Sequence, residues 1–300
     1  MCARRGSRDL SDREVDSLAV KDSEKSDSPG EGARVRVLSV TSGKGGVGKT
    51  CVAVNLAYWL SKMGTKVLLL DADMGLANVD IVLGLKPRFT LEHVLSGEKG
   101  ISDVLLDGPG GVRVLPAGSG VAELADMSEE AKATLFGELE ALEEPFDYLI
   151  LDTGAGISRQ VLYFNHAVQD VILVATPEPT SMTDAYALMK VLSEARRDYR
   201  FWILANMVEN ESEGKNVYRR LSTVSDKYLD VSTSYLGHIT RDPNVVQAIR
   251  KQKALALAFP KTIASRCLRR LADRIHHLPQ DEIPAGHMQF FWRRLAAQMA

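Results

Sequence analysis

The stretch Val35-Arg-Val-Leu-Ser-Val-Thr-Ser-Gly43-Lys-Gly-Gly-Val-Gly-Lys-Thr50 decides how this chain folds. Val35, Val37, Leu38 and Val40 read as a buried strand. Gly43 to Thr50 fits the pattern G-x-x-x-x-G-K-[ST]. Beyond it, Val52, Asn55, Leu56, Trp59, Leu60 and Met63 recur on one face of a helix. A strand, a glycine loop and a helix in this order hold a phosphate. The glycines let the backbone curl and turn successive N–H groups onto an anion. The helix adds the positive end of its dipole. Lys49 is placed to reach the terminal phosphates, and the Thr50 hydroxyl to hold Mg2+.

A second lysine, Lys44, lies inside the loop, and an ordinary phosphate loop has no need of one. The form K-G-G-x-G-K-T resembles the deviant Walker A motif of the MinD/ParA ATPases. The resemblance implies ATP and Mg2+ as cofactors, with Gly43, Lys44, Gly45, Gly46, Val47, Gly48, Lys49, Thr50 and Cys51 around the nucleotide. It also implies a homodimer closed over ATP, in which Lys44 of one copy reaches the phosphates of the other. Physically, that is charge supplied in trans to the transferring phosphoryl group. The implied activity is slow, partner-stimulated ATP hydrolysis.

Composition narrows the classes. The 300 residues suffice for one large α/β domain with tails. A net charge of −2 gives no global basic footprint, so direct nucleic-acid binding is not expected. Cys2, Cys51 and Cys267 form no C-x-x-C motif, which suits a reducing cytoplasm. No apolar run approaches the ~18 residues of a membrane span. The charged, polar start of the chain has no secretory character.

Two more strands end in acidic residues. Lys66-Val-Leu-Leu-Leu70 runs into Asp71-Ala-Asp73, and Phe146-Asp-Tyr-Leu-Ile-Leu151 into Asp152-Thr-Gly154-Ala-Gly156. Acidic residues at the carboxyl edge of strands beside a P-loop strand stand where open α/β sheets bind ligands. The second has the Walker B form, an Asp that holds Mg2+ through its water shell. By resemblance, Asp73 orients the attacking water, Asp71 is a carboxylate near the metal, and Gly154 offers its N–H to the γ-phosphate. Lys44, Lys49 and Asp73 are thus the expected catalytic residues, and Thr50, Asp73 and Asp152 the expected residues around the metal. A simpler alternative is that Asp71 and Asp73 cap the following turn.

Val171–Ala175, Phe201–Ala205 and Tyr235–Ile239 read as further strands, with helices at Thr180–Ala195 and from Asp242. Continuous apolar strands alternating with amphipathic helices mean a parallel sheet covered on both faces. The predicted fold is therefore α/β, a P-loop NTPase with a mostly parallel twisted sheet, helices on both faces and a C-terminal amphipathic helix. Helices are also expected at Thr90–Gly97, Ser128–Glu144 and Lys261–His277. Arg266, Arg269 and Arg270 on the last of these read as a solvated face, with contact to DNA or acidic lipid as the alternative. Asn206 matches the residue that reads the adenine edge in the family. An amide can pair with adenine's donor and acceptor together. On spacing alone, Asn206 is equally a turn residue.

The expected domains are a polar arm over 1–33 that cannot bury a core, the ATPase domain over 34–278, a linker over 279–286 and an amphipathic helix over 287–300. On that helix Met288, Phe291, Trp292 and Leu295 share a face, with Arg293 beside it. These five residues suit the interface of an anionic membrane. Docking on the protein's own core is the alternative. One such tail holds a bilayer weakly, whereas two on a dimer gain roughly 10²-fold or more through effective concentration. ATP-driven dimerisation would then switch membrane residence.

Within the MinD/ParA group, L-D-A-D-x-G-L-A-N-V-D, D-T-G-A-G and the Q-F-F-W-R-R tail most resemble the flagellar-number regulators of the FlhG type. That resemblance implies control of flagellar number and placement from the inner face of the bacterial membrane, at the pole. It implies an FlhF-type GTPase, a flagellar transcription activator or switch-complex proteins as partners. The arm lacks the D-Q-A-x-x-L-R element with which many such proteins stimulate the GTPase. A septum-placing MinD or a ParA-type partitioning ATPase is the rival reading. An iron–sulfur carrier would need cysteines after the D-T-G-A-G segment, and none stands there.

Overall fold

The structure, a computed structural model, describes residues 35–73, 78–116, 137–138, 142, 145–168, 170–196, 198–278 and 294–295. The expected arm, the linker, Met288, Phe291, Trp292 and Arg293, and most of the helix expected at Ser128–Glu144 lie outside the described residues.

The first half of the described chain holds β1 (Arg36–Ser42), α1 (Lys49–Lys62), β2 (Val67–Ala72), α2 (Val79–Leu83), α3 (Leu91–Leu95), α4 (Ile101–Val104), β3 (Leu106–Asp107), β4 (Arg113–Leu115) and β5 (Tyr148–Ala155). The second half holds α5 (Arg159–Ala167), β6 (Asp170–Ala175), α6 (Pro179–Ala195), β7 (Arg200–Val208), α7 (Glu211–Tyr228), β8 (Ser232–Thr240), α8 (Pro243–Arg250), α9 (Leu255–Ala258) and α10 (Ile263–His276). The strands form one sheet in the order β3-β4-β2-β5-β1-β6-β7-β8. All described pairings are parallel except β3 with β4. Every residue of β2 and of β6 is buried, as a parallel sheet covered on both faces requires.

Alternate residues of each strand feed opposite cores. Leu68, Leu149, Val171 and Phe201 join the layer that holds Phe164, Leu188 and Leu192. Leu69, Ile150, Ile172 and Leu204 join the layer that holds Leu56, Leu60, Leu268 and Leu271. At the amino edge of the sheet, buried Asp170 accepts from Arg36 at 3.4 Å, Arg200 at 3.0 Å and Trp202 Nε1 at 2.9 Å. Arg36 also donates to the carbonyls of Ile275 and Leu278, which fastens the end of α10 beneath the sheet.

Three features depart from the pattern reading. α5 and α7 have no counterpart in the expected elements. The sequence of α7 is mostly polar, and only Gly214, Val217, Leu221 and Ser225 of it are buried. Its start is marked instead by Asn210, which accepts from the Glu213 amide at 3.1 Å. His93 completes a capping box with Thr90, whose amide donates to its Nδ1 at 3.2 Å. Leu295, expected to face lipid, is 1% exposed and belongs to the apolar layer of Phe164 and Leu192. Contact with that core removes the leucine from water without any bilayer.

Candidate nucleotide site

The site forms at the carboxyl edge of β1, β2 and β5, where the P-loop turns into α1. Gly48 is the N-cap of α1 with a φ of 92°, a left-handed conformation that favours glycine. A Cβ there would also stand 2.6 Å from Asn206 Nδ2. Gly43 is required for a different reason. A Cβ on it would overlap the backbone of Asp184 at 2.0 Å, so only glycine lets β1 pass under α6. A cavity of about 1200 Å³ opens above the loop. Gly45, Gly46, Gly48, Lys49, Thr50 and Cys51 form its floor, and Asp73 and Gly154 stand on one wall.

Asp71 and Asp152 are cross-strand neighbours, buried beneath this cavity. Asp71 accepts from the amides of Asp73 at 3.2 Å, Asn78 at 2.9 Å and Val79 at 3.0 Å. It therefore shapes the segment that carries Asp73 and caps the entry to α2. Burial pushes its pKa up to about 6, against the pull of those amides. Asp152 differs. Among the described residues, neither of its buried carboxylate oxygens has a hydrogen-bond partner. Burial, and then the charge of Asp71, push its pKa up to about 8. Burial lowers the pKa of Lys49, while Asp152 and Asp73 oppose that shift. Asp73 and Gly154 are adjacent, since a Cβ on Gly154 would lie 3.3 Å from Asp73 Oδ1.

The orphaned Asp152 carboxylate beside Thr50 and Lys49 fits a hydrated Mg2+. Buried carboxylate oxygens without partners are costly unless a cation or ordered water answers them. Thr50 and Asp152 would hold such an ion, which would supply positive charge against a triphosphate. Cys51 is no nucleophile here, because burial pushes its thiol up to about 11.

The loop's second lysine takes another direction. Lys44 Nζ lies 2.8 Å from Glu178 Oε2 and 2.9 Å from Thr180 Oγ1, at the N-cap and first turn of α6. Its side chain is 37% exposed, and it does not line the cavity floor. Asn206 is also engaged. Its Nδ2 donates to the Val47 carbonyl at 2.7 Å, and its Oδ1 accepts from Met207 N at 2.9 Å. Met207 has a φ of 58°, a strained conformation for a side chain of its size.

The stretch Thr176-Pro-Glu-Pro-Thr180, which resembles a loop of the family's dimer surface, supplies Glu178 and Thr180 to hold Lys44. Asn165 ties α5 to β1 through Ser39 at 2.8 Å and Thr41 at 3.3 Å. Arg241, Pro243 and Val245 line the far end of the cavity. Only the tertiary fold brings them together at the cavity.

An eight-stranded P-loop sheet, with two lysines in the loop and two acidic strand ends, defines an ATPase of the MinD/ParA class. The AAA domain family matches residues 35–203. The antiactivator FleN of Pseudomonas aeruginosa is 46% identical over 89% of this chain and 95% of its own. The flagellum site-determining protein YlxH of Helicobacter pylori is 33% identical over 87% of this chain and 89% of its own. The cell division ATPase MinD of Pyrococcus furiosus superposes with a TM-score of 0.67 at 25% identity, covering 81% of this chain and 99% of that one. The chain belongs to the MinD/ParA family of ATPases, in its FleN/FlhG branch.

Proposed function

We propose that this protein is an ATP-dependent dimerising switch that controls flagellar number and placement, cycling between a monomer and a membrane-bound dimer. The observation that carries the switch is Lys44. It is held at the rim by Glu178 and Thr180 instead of folding into its own chain's cavity. From the rim it reaches a second copy more readily than its own nucleotide. The P-loop amides and Lys49 bind the triphosphate, and Asp73 orients the attacking water. Lys44 of a second copy neutralises the charge that develops on the transferring phosphoryl group. Hydrolysis is slow until a partner completes this arrangement.

A flagellar transcription activator is the favoured partner, since FleN of Pseudomonas aeruginosa is an antiactivator. The amphipathic tail supplies membrane residence. No helix among the described residues is long and apolar enough to cross a bilayer. Leu295 leaves the core as the tail engages lipid.

Single-turnover hydrolysis with and without lipid tests the scheme. Asp73→Ala is expected to bind ATP and hydrolyse it at least ~10²-fold more slowly. Wild-type hydrolysis by that variant removes Asp73 from its role. Deletion of residues 287–300 is expected to abolish ATP-dependent sedimentation with vesicles.

A further inference from the structure

The last three helices of the body carry a charge asymmetry that the nucleotide chemistry does not use. Residues 242 to 278 hold eight Lys or Arg against two Asp or Glu, in a chain whose net charge is −2. All eight cations are exposed. None of them forms an ion pair with a carboxylate among the described residues. Both acids are occupied. Asp242 accepts from the amides of Asn244 and Ala264, and Asp273 faces His277.

The same helices expose aliphatic side chains. Of the eight large apolar residues left exposed among the described residues, Leu257 on α9 and Ile263 on α10 lie outside the nucleotide cavity, which Val246 and Ile249 of α8 line. The three helices form one surface. α9 packs on both of its neighbours, and the Ala264 amide at the start of α10 donates to the Asp242 cap of α8. Arg274 donates to the Leu236 carbonyl, and Arg269 and Lys251 lie over the Trp59 and Phe259 rings. Cations that lack a carboxylate partner still repel each other, and exposed aliphatics gain nothing from water. A surface that tolerates both needs an anionic, partly apolar counterpart.

We propose that the α8–α10 face of the body rests on the anionic surface of a lipid bilayer, with the cations at the headgroups and the aliphatics at the acyl boundary. A nucleic acid would answer the charge but not Leu257 or Ile263, which are 46% and 57% exposed. The assignment rests on the membrane cycle proposed above for its occupant, and is independent of the tail. The body thereby reads lipid charge, while the tail supplies insertion.

The test uses the full chain with ATP and Mg2+, and vesicles rich in phosphatidylglycerol or made of phosphatidylcholine alone. Each cation near an anionic surface is worth roughly five-fold in partition. The quadruple variant R250Q/K253Q/K261Q/R266Q is expected to lose at least about ten-fold in binding to the anionic vesicles, and most of the salt dependence. Its lipid-free hydrolysis and thermal unfolding should match wild type. L257S/I263S is expected to weaken the same binding several-fold. Wild-type affinity and salt dependence in the quadruple variant overturn the proposal. So does a wild-type chain that shifts duplex DNA, if the quadruple variant loses that shift but keeps its vesicle binding. A tail variant, F291S/W292S, separates the two readings. If it binds vesicles as wild type does, the tail anchor falls, and the quadruple variant still decides the face.

Discussion

Lys44 and Glu178 form a 2.8 Å ion pair within one chain, between the phosphate loop and the first residues before α6. The pair lies at the open rim of the cavity and uses the charge that a second subunit's nucleotide would attract. It sets a competition: the ammonium remains on its own carboxylate until a stronger anion is presented.

Removing that competitor should ease dimerisation. Glu178→Gln is expected to lower the ATP concentration for half-maximal dimer formation by about two- to five-fold, since exposed pairs are worth little. Lys44→Ala should leave ATP binding intact and abolish dimer-dependent hydrolysis. Light scattering against ATP concentration reads the first effect. An unchanged midpoint in Glu178→Gln rejects the competition.

Without nucleotide, the fold should lose stability as pH rises toward 8. The pKa of Asp152 in the fold is raised to about 8 from 3.8, so the folded chain binds its proton more tightly than the unfolded chain does. Stability is then greatest at low pH and falls between 3.8 and about 8, by at most about 1.4 kcal/mol per pH unit. Asp152→Asn should flatten that decline. Nucleotide-free melting curves at pH 6 to 8 check it, and equal slopes in the two proteins refute it.

Two glycines of one loop should behave differently. Gly43→Ala drives a methyl into the Asp184 backbone, and it should destabilise the fold by about 3 kcal/mol and abolish nucleotide binding. A Cβ on Gly45 meets nothing within 4 Å, so Gly45→Ala should unfold within about 0.5 kcal/mol of wild type. Thermal denaturation of both variants decides the point.

Asn206 should act on the phosphates through the loop it braces. Its amide braces the P-loop at the Val47 carbonyl. Asn206→Ala is therefore expected to weaken ATP, GTP and tripolyphosphate alike, by roughly five-fold, the worth of one buried hydrogen bond. A variant that loses only the preference for ATP over GTP would show base readout alone.

Much of this architecture could be read from the chain because its signals are local. A glycine loop between an apolar run and a helical stripe is contiguous in sequence. So are Asp71, Asp73 and Asp152 at the ends of buried strands. The helices α5 and α7 were hidden because their burial depends on what packs against them. The polar sequence of α7 becomes a helix only with Asn210 at its start and β7 and β8 beneath it.

By itself, the sequence determined the phosphate loop, its second lysine, the acidic strand ends and the parallel sheet, since each follows from neighbours a few residues apart. The tertiary structure decided the rest. It set Glu178 against Lys44 across 134 residues, left Asp152 buried with no hydrogen-bond partner among the described residues, turned Asn206 onto the loop and left the basic residues of α8 to α10 exposed. The physical reason is that a side chain's partner and its distance from water are properties of the packed sheet and its layers. No stretch of chain carries them before it folds.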